Sequence, residues 1–135
     1  MIIDSSAIVA IIKGEAQAGQ LLRSILLSKT RLISAASYVE TAAVIDSKRD
    51  PVLSRRFDEL LNAFGIAVTE VSAEQARIAR AAYRDFGKGS DHPAGLNFGD
   101  CFSYALSQER NLPLLFVGDD FVHTDVRVAA LAEAL

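Results

Sequence analysis

Four separated stretches of the chain each place an acid where a solvated carboxylate is unexpected: Asp4, Glu40, Asp100, and the pair Asp119 and Asp120. Carboxylates gathered at one point repel each other and are stable only with protons or hard cations between them. Oxygen-only ligation favours Mg2+ or Mn2+. Cations held in this way commonly activate water and stabilise the leaving oxygen in phosphodiester hydrolysis. The two histidines, His92 and His123, share no paired spacing with each other or with the one cysteine, so no zinc pattern is present. The chain also lacks a phosphate-cradling P-loop, a nucleophile elbow and a Cys–His pairing.

The surrounding residues say how each acid is positioned. Met1-Ile2-Ile3 leads into Asp4, then come Ser5-Ser6 and the apolar run Ala7 to Ile12. This pattern predicts a buried strand ending in Asp4 and turning at once into a helix, the place where open α/β sheets present reactive groups. A simple helix cap at Asp4 or Ser5 is the alternative. Glu40 has Ala36, Ser37, Ala43 and Val44 at helical spacing, an inward face on which an unpaired carboxylate is costly. A capping box from Ser37 to Glu40 is the alternative there, although a helix beginning at Ser34 argues against it. Asp100 follows Asn97-Phe98-Gly99 and opens a helix among Phe98, Cys101, Phe102 and Tyr104, more apolar company than a mere complement to the helix dipole needs. Asp119 and Asp120 come directly after the apolar run Leu114 to Val117 and Gly118, either at a functional strand end or in an ordinary acidic turn.

The rest of the chain supplies the scaffold. Helical periodicity predicts helices from about Glu15 to Leu27, Ser34 to Lys48, around Leu53 to Phe64, from Ser72 to Phe86, and from Phe98 to Arg110. Short strands are expected at Arg31 to Ser34, Ile66 to Val71 and Leu114 to Val117, with a loop from Gly87 to Gly95. The tail from about Asp125 is open between an edge strand and a helix. Strands alternating with helices call for an α/β fold with a parallel sheet covered on both faces. The 135 residues suit a single domain, 1–135, able to bury a core without staples. A net charge of −3 argues against indiscriminate nucleic-acid binding. No run is long enough to span a bilayer and no signal peptide precedes the first strand. One cysteine, Cys101, forms no internal disulfide, so a reducing cytoplasm is the expected location.

The successive motifs Ile3-Asp4-Ser5-Ser6-Ala7, Tyr38-Val39-Glu40, Asn97 to Ala105, and Leu114 to Phe121 resemble those of a PIN domain. More narrowly the chain resembles the VapC toxins of bacterial VapBC toxin–antitoxin modules, in a mycobacterial-like group, over essentially its whole length. The resemblance implies a PIN-like three-layer α/β/α sandwich with a mostly parallel sheet of four to five strands. It implies a Mg2+- or Mn2+-dependent endoribonuclease, a homodimer, and restraint by a VapB-like antitoxin. Asp4, Glu40 and Asp100 match the family's three main acids, and Ser6 the hydroxyl that orients the first. Many relatives carry a fourth acid where Gly118 stands. Here Asp119, first after the turn that Gly118 allows, is expected at the metal site, and Asp120, beside the core anchor Phe121 and pointing away from it, as a helper or surface residue. On this reading Asp4 and Asp100 hold the main metal, with Glu40 and Asp119 completing the site. Arg84, Lys88 and His92, in and beside the glycine-bearing loop, are candidates to meet flanking RNA phosphates. The helices carrying Ala18 to Leu26 and Leu53 to Phe64 have apolar faces wide enough to form a groove for an antitoxin helix.

Two rival classes fit an acid-lined α/β domain. A haloacid-dehalogenase-type phosphatase would want a second aspartate where Ser6 stands, and a phosphotransfer receiver would want a lysine near Gly118 and Asp119. A catalytically inactive module of the same fold would have no use for Asp4, Glu40 and Asp100 together.

Overall fold

The computed structural model describes residues 1–133; the last two residues of the expected single domain lie outside the described residues. Strands β1 (Ile2–Ile3), β2 (Leu32–Ser34), β3 (Ala67–Thr69) and β4 (Leu114–Leu115) form one sheet. The helices are α1 (Ser5–Ile12), α2 (Ala18–Leu27), α3 (Ala35–Asp46), α4 (Pro51–Ala63), α5 (Ala73–Phe86) and α6 (Asp100–Arg110). A short 3-10 turn spans Phe121–His123. Among the described residues no helix is long and apolar enough to cross a membrane.

The sheet order is β3-β2-β1-β4 and every pairing is parallel. The chain lays down β1, β2 and β3 in one direction, then jumps through α5 and α6 to place β4 on the far side of β1. The order therefore reverses between β1 and β4, and that reversal opens a crevice at their carboxyl ends. The tail adds one parallel bridge, Leu114 to Val128, which makes a minimal fifth strand at the edge.

Both faces of the sheet are covered, which is why its strands read as unbroken apolar runs. Adjacent strand residues point to opposite faces. Ile3, Ile33 and Leu115 pack with α1, α2 and α4, whereas Ile2 and Leu114 pack with α5 and α6. The result is a three-layer α/β/α sandwich, as expected. Local signals fix the helix starts: Asp4, Ser34, Asp50 and Ser72 each accept a hydrogen bond from a backbone N–H of the helix that follows.

Candidate acid site at the strand ends

Asp4 stands at the end of β1 and is 3% exposed. Its backbone N–H donates to Leu115 O at 2.9 Å, which carries the ladder one residue past β1 and pins Asp4 beside β4. The cap reading of Asp4 is correct as far as it goes, since Ser6 N donates to Asp4 Oδ2 at 3.0 Å. Ser6 Oγ donates to the same oxygen at 2.7 Å and accepts from Val117 N at 3.0 Å. That hydroxyl thus ties Asp4 to the end of β4, in the orienting place expected of Ser6. On the other side Ser103 Oγ donates to Asp4 Oδ1 at 2.5 Å and lies 3.1 Å from Ser37 Oγ. Each carboxylate oxygen can accept more than one bond, so Asp4 is fixed in orientation with acceptor capacity left for a cation.

Glu40 belongs to α3, which starts at Ala35 behind the Ser34 cap, so Ser37 and Glu40 form no capping box. The buried stripe of that helix is Ser37, Thr41 and Ile45. Ala43 and Val44 are exposed, so Glu40 lies at the edge of this stripe and not on the inward face that its neighbours suggested. There it faces the crevice, accepting from Ser5 Oγ at 2.8 Å through Oε1.

Asp100 and Asn97 cap each other, with Asn97 N donating to Asp100 Oδ2 at 3.0 Å and Asp100 N donating to Asn97 Oδ1 at 2.8 Å. The Asp100 side chain is buried, and its pKa is pushed up to about 7. Desolvation is the largest cause; the Asn97 N–H opposes it, while the charges of Asp4, Asp120 and Glu40 add to it. Asp4, Asp120 and Glu40 are thus near enough for their charges to disfavour ionised Asp100.

A cavity of about 440 Å³ is lined by Asp4, Glu40, Asp100, Asp120, Ser5, Ser6, Asn97 and Glu15, with Val9, Val44 and Val117 as its apolar wall. Asp119, the acid expected at the metal site, is outside this set, whereas Asp120, expected as a helper, is within it. The expectation assumed that Asp120, beside the core anchor Phe121, would point away from that anchor. Phe121 is indeed buried against Phe116, with ring centroids 5.1 Å apart. However, Asp120 has φ −62° and ψ −44° and leads into a 3-10 turn. Side chains in such a turn fan out at about 120° per residue instead of alternating as in a strand. Asp120 can therefore overlook the acids while its neighbour enters the core.

The loop residues stay apart from this cavity. Arg84 Nε donates to Asp85 Oδ1 at 2.9 Å on the exposed face of α5, a pairing that raises the Arg84 pKa. His92 packs edge-on against Phe86 with centroids 4.9 Å apart, and its Nδ1 accepts from Ala94 N. Lys88 is exposed, and none of Arg84, Lys88 and His92 lines the acid cavity. Sequence reasoning overlooked Ser5, Ser37 and Ser103. The signal was present in Asp100, Ser103 and Ser107, which repeat at helical spacing on a helix buried along most of its length.

An acid-lined crevice at the switch point of a parallel α/β sandwich is shared by several enzyme folds, and the PIN domain family is the one that matches, over residues 1–127. The chain belongs to the PIN domain family and, within it, groups with the VapC ribonucleases. It is 54% identical to ribonuclease VapC28 of Mycobacterium tuberculosis, covering 96% of this chain and 97% of that protein. It is 52% identical to ribonuclease VapC42 of the same species, covering 96% and 98%. Among solved structures, that of the Mycobacterium tuberculosis sarcin–ricin loop cleaving toxin VapC20 superposes with a TM-score of 0.72 at 15% identity, over 96% of this chain and 98% of that one. A toxin–antitoxin complex from Klebsiella pneumoniae gives 0.67 at 17% identity, over 89% and 88%.

Proposed function

We propose that this chain is the toxin of a type II toxin–antitoxin pair, an endoribonuclease that hydrolyses RNA phosphodiester bonds with a divalent cation in the acid cavity. The observation that carries the reading is the convergence of Asp4, Glu40, Asp100 and Asp120 on one crevice from four separate segments. The donors are all oxygen, which suits Mg2+ or Mn2+ in kind. Among the described residues no three acids stand close enough to cage an ion outright. Mg2+ keeps several of its waters and binds through one or two carboxylates, so a cage of three acids is not required of this site. When bound, such a cation supplies an activated water and charge neutralisation at the scissile phosphate.

The chain's own groups do the rest. Asp4 and Asp100 are the direct holders, Asp4 locked by Ser6 and Ser103, and Asp100 keeping Oδ1 clear of its capping bond. Glu40 and Asp120 complete the set from the two rims. Residual net acidity keeps RNA binding selective. A phosphate-contact role for Arg84, Lys88 and His92 gains no support from their positions.

The antitoxin has a place to lie. A groove of about 360 Å³ runs between α1, α2 and α4, lined in part by Ile11, Leu22, Leu60, Ala63 and Phe64. Ile12 joins it to a second groove, which shares Val9 and Val44 with the acid cavity. An amphipathic helix in the first groove could send its continuing chain along the second into the acids. Pairing of two copies is carried over from the family; sedimentation should give about twice the 14.5 kDa chain mass. The cytoplasm, where RNA substrates are plentiful, is the proposed location.

The direct test is cleavage of RNA by the purified chain with Mg2+, with EDTA, and with the Asp4→Asn variant. Cleavage should require the cation and fall by at least about a hundredfold in the variant. Equal cleavage in EDTA, or by Asp4→Asn, would overturn the reading.

A further inference from the structure

Gly99 separates two groups of the acid cavity and has no obvious reason to be glycine. Its φ of −63° and ψ of −40° are ordinary right-handed helical values that any residue adopts. Conformational freedom, the usual explanation for a glycine, is not in use here. The space around its α-carbon explains it instead. A Cβ on Gly99 would stand 2.5 Å from Glu40 Cδ and 2.8 Å from Glu40 Oε1, and closer still to Oε2. The Glu40 carboxylate occupies the volume that a side chain at position 99 would fill. All three of those near atoms belong to the far end of one flexible side chain, and none is backbone.

We propose that Gly99 is a positioning residue for Glu40: its bare α-carbon forms a seat that brings the carboxylate to the rim beside Asp100. Two contacts define the seat. Ser5 Oγ holds Oε1 from the α1 side at 2.8 Å, and the α-carbon of Gly99 backs the carboxylate from the α6 side. The site of this carboxylate is also the N-terminus of α6, where backbone N–H dipoles favour negative charge. Any larger residue at 99 pushes Glu40 out toward solvent, while the helical φ and ψ of position 99 are open to alanine, so α6 keeps its start. This rests on the acid cavity being the reactive site, but the seat itself is a property of the metal-free chain.

The experiment compares Gly99→Ala, Glu40→Asp and the double variant in three measurements: thermal melting, the 13C shift of the Glu40 carboxyl in metal-free protein, and RNA cleavage with Mg2+. Gly99→Ala should melt within a few degrees of the parent, move the Glu40 carboxyl shift toward that of a solvent-exposed glutamate, and lose ten- to a hundredfold in cleavage, as expected for a displaced group. Glu40→Asp alone should lower cleavage, because the shorter side chain withdraws from the site. In the Gly99→Ala background the same shortening makes room for the added methyl, so the double variant should cleave faster than Gly99→Ala. A purely structural glycine gives no such reversal of sign. An unchanged carboxyl shift in Gly99→Ala would overturn the proposal, as would a large loss of melting temperature, which would mean that the methyl meets rigid structure. A double variant at or below the product of the single effects would overturn it too. If the parent cleaves no RNA, the ribonuclease reading falls, and the carboxyl shift alone still decides whether Gly99 seats Glu40.

Discussion

Asp100 is ionised only at a cost to the metal-free fold. Burial and the charges of Asp4, Asp120 and Glu40 lift its pKa to about 7, well above the ordinary carboxylate value. The metal-free fold therefore binds this proton more tightly than the unfolded chain does. Its stability falls, through this group, as pH rises from about 4 to 7, and the full penalty is present above 7. Asp100→Asn removes that penalty while keeping an oxygen for the Asn97 N–H. In metal-free buffer at pH 8 the variant should melt a few degrees above the parent, and the gap should shrink toward pH 5; melting below the parent at pH 8 would contradict the account. The last two acids give a second test. Asp120 lines the cavity and Asp119 does not, so Asp120→Ala should lower cleavage by about tenfold or more, with Asp119→Ala within about threefold of the parent. The reverse order of effects would return the fourth place to Asp119. At this scale the sequence made Asp4, Glu40, Asp100 and Ser6 legible, because each follows or faces a recognisable element. The choice between Asp119 and Asp120 was not legible, because it depends on whether the chain there alternates like a strand or fans out like a 3-10 turn.

Helices here serve two masters, the core and the crevice. Helix α1 begins at Ser5 because Asp4 caps it, and the same geometry delivers Ser5 to Glu40 and Ser6 to Val117. Helix α6 begins where Asn97 and Asp100 cap each other, which turns Ser103 inward onto Asp4. Ser103→Ala should leave the fold cooperative yet lower cleavage by several-fold, since Asp4 loses one of its two hydroxyl partners and thus part of its orientation. Cleavage equal to the parent would show that Ser6 alone suffices. Helices α2 and α4 were legible in their apolar stripes, and the groove beside α1 lies where those stripes meet. Ala63 is exposed on that groove, so Ala63→Arg should block antitoxin binding while RNA cleavage stays at the parental rate. Retained antitoxin affinity would move the partner elsewhere. Boundaries were less legible than elements. The strand expected from Leu114 to Val117 keeps ladder pairing only at Leu114 and Leu115, because Val117 N is taken by Ser6 Oγ. The helix expected from Glu15 starts at Ala18, after a turn through left-handed Gly14 at φ 66°.

For the whole molecule, the governing fact is the strand order β3-β2-β1-β4, which puts the ends of β1 and β4 side by side. Alternation of apolar runs with helices made a covered parallel sheet legible in the sequence. The order of its strands was not, since nothing local states that the long α5–α6 connection crosses two strands before β4 is laid down. Once that crossing is made, Asp4 and the turn holding Asp120 are neighbours, α6 brings Asp100 over them, and α3 closes the rim with Glu40. The central claim is that these four segments build one cation site. Calorimetric titration of the metal-free chain with Mn2+ tests it most directly, comparing the parent with the Asp4→Asn/Asp100→Asn double variant. The account predicts saturable binding by the parent and its loss in the double variant, with melting showing that the variant remains folded. Binding of equal affinity and stoichiometry in the double variant would contradict it.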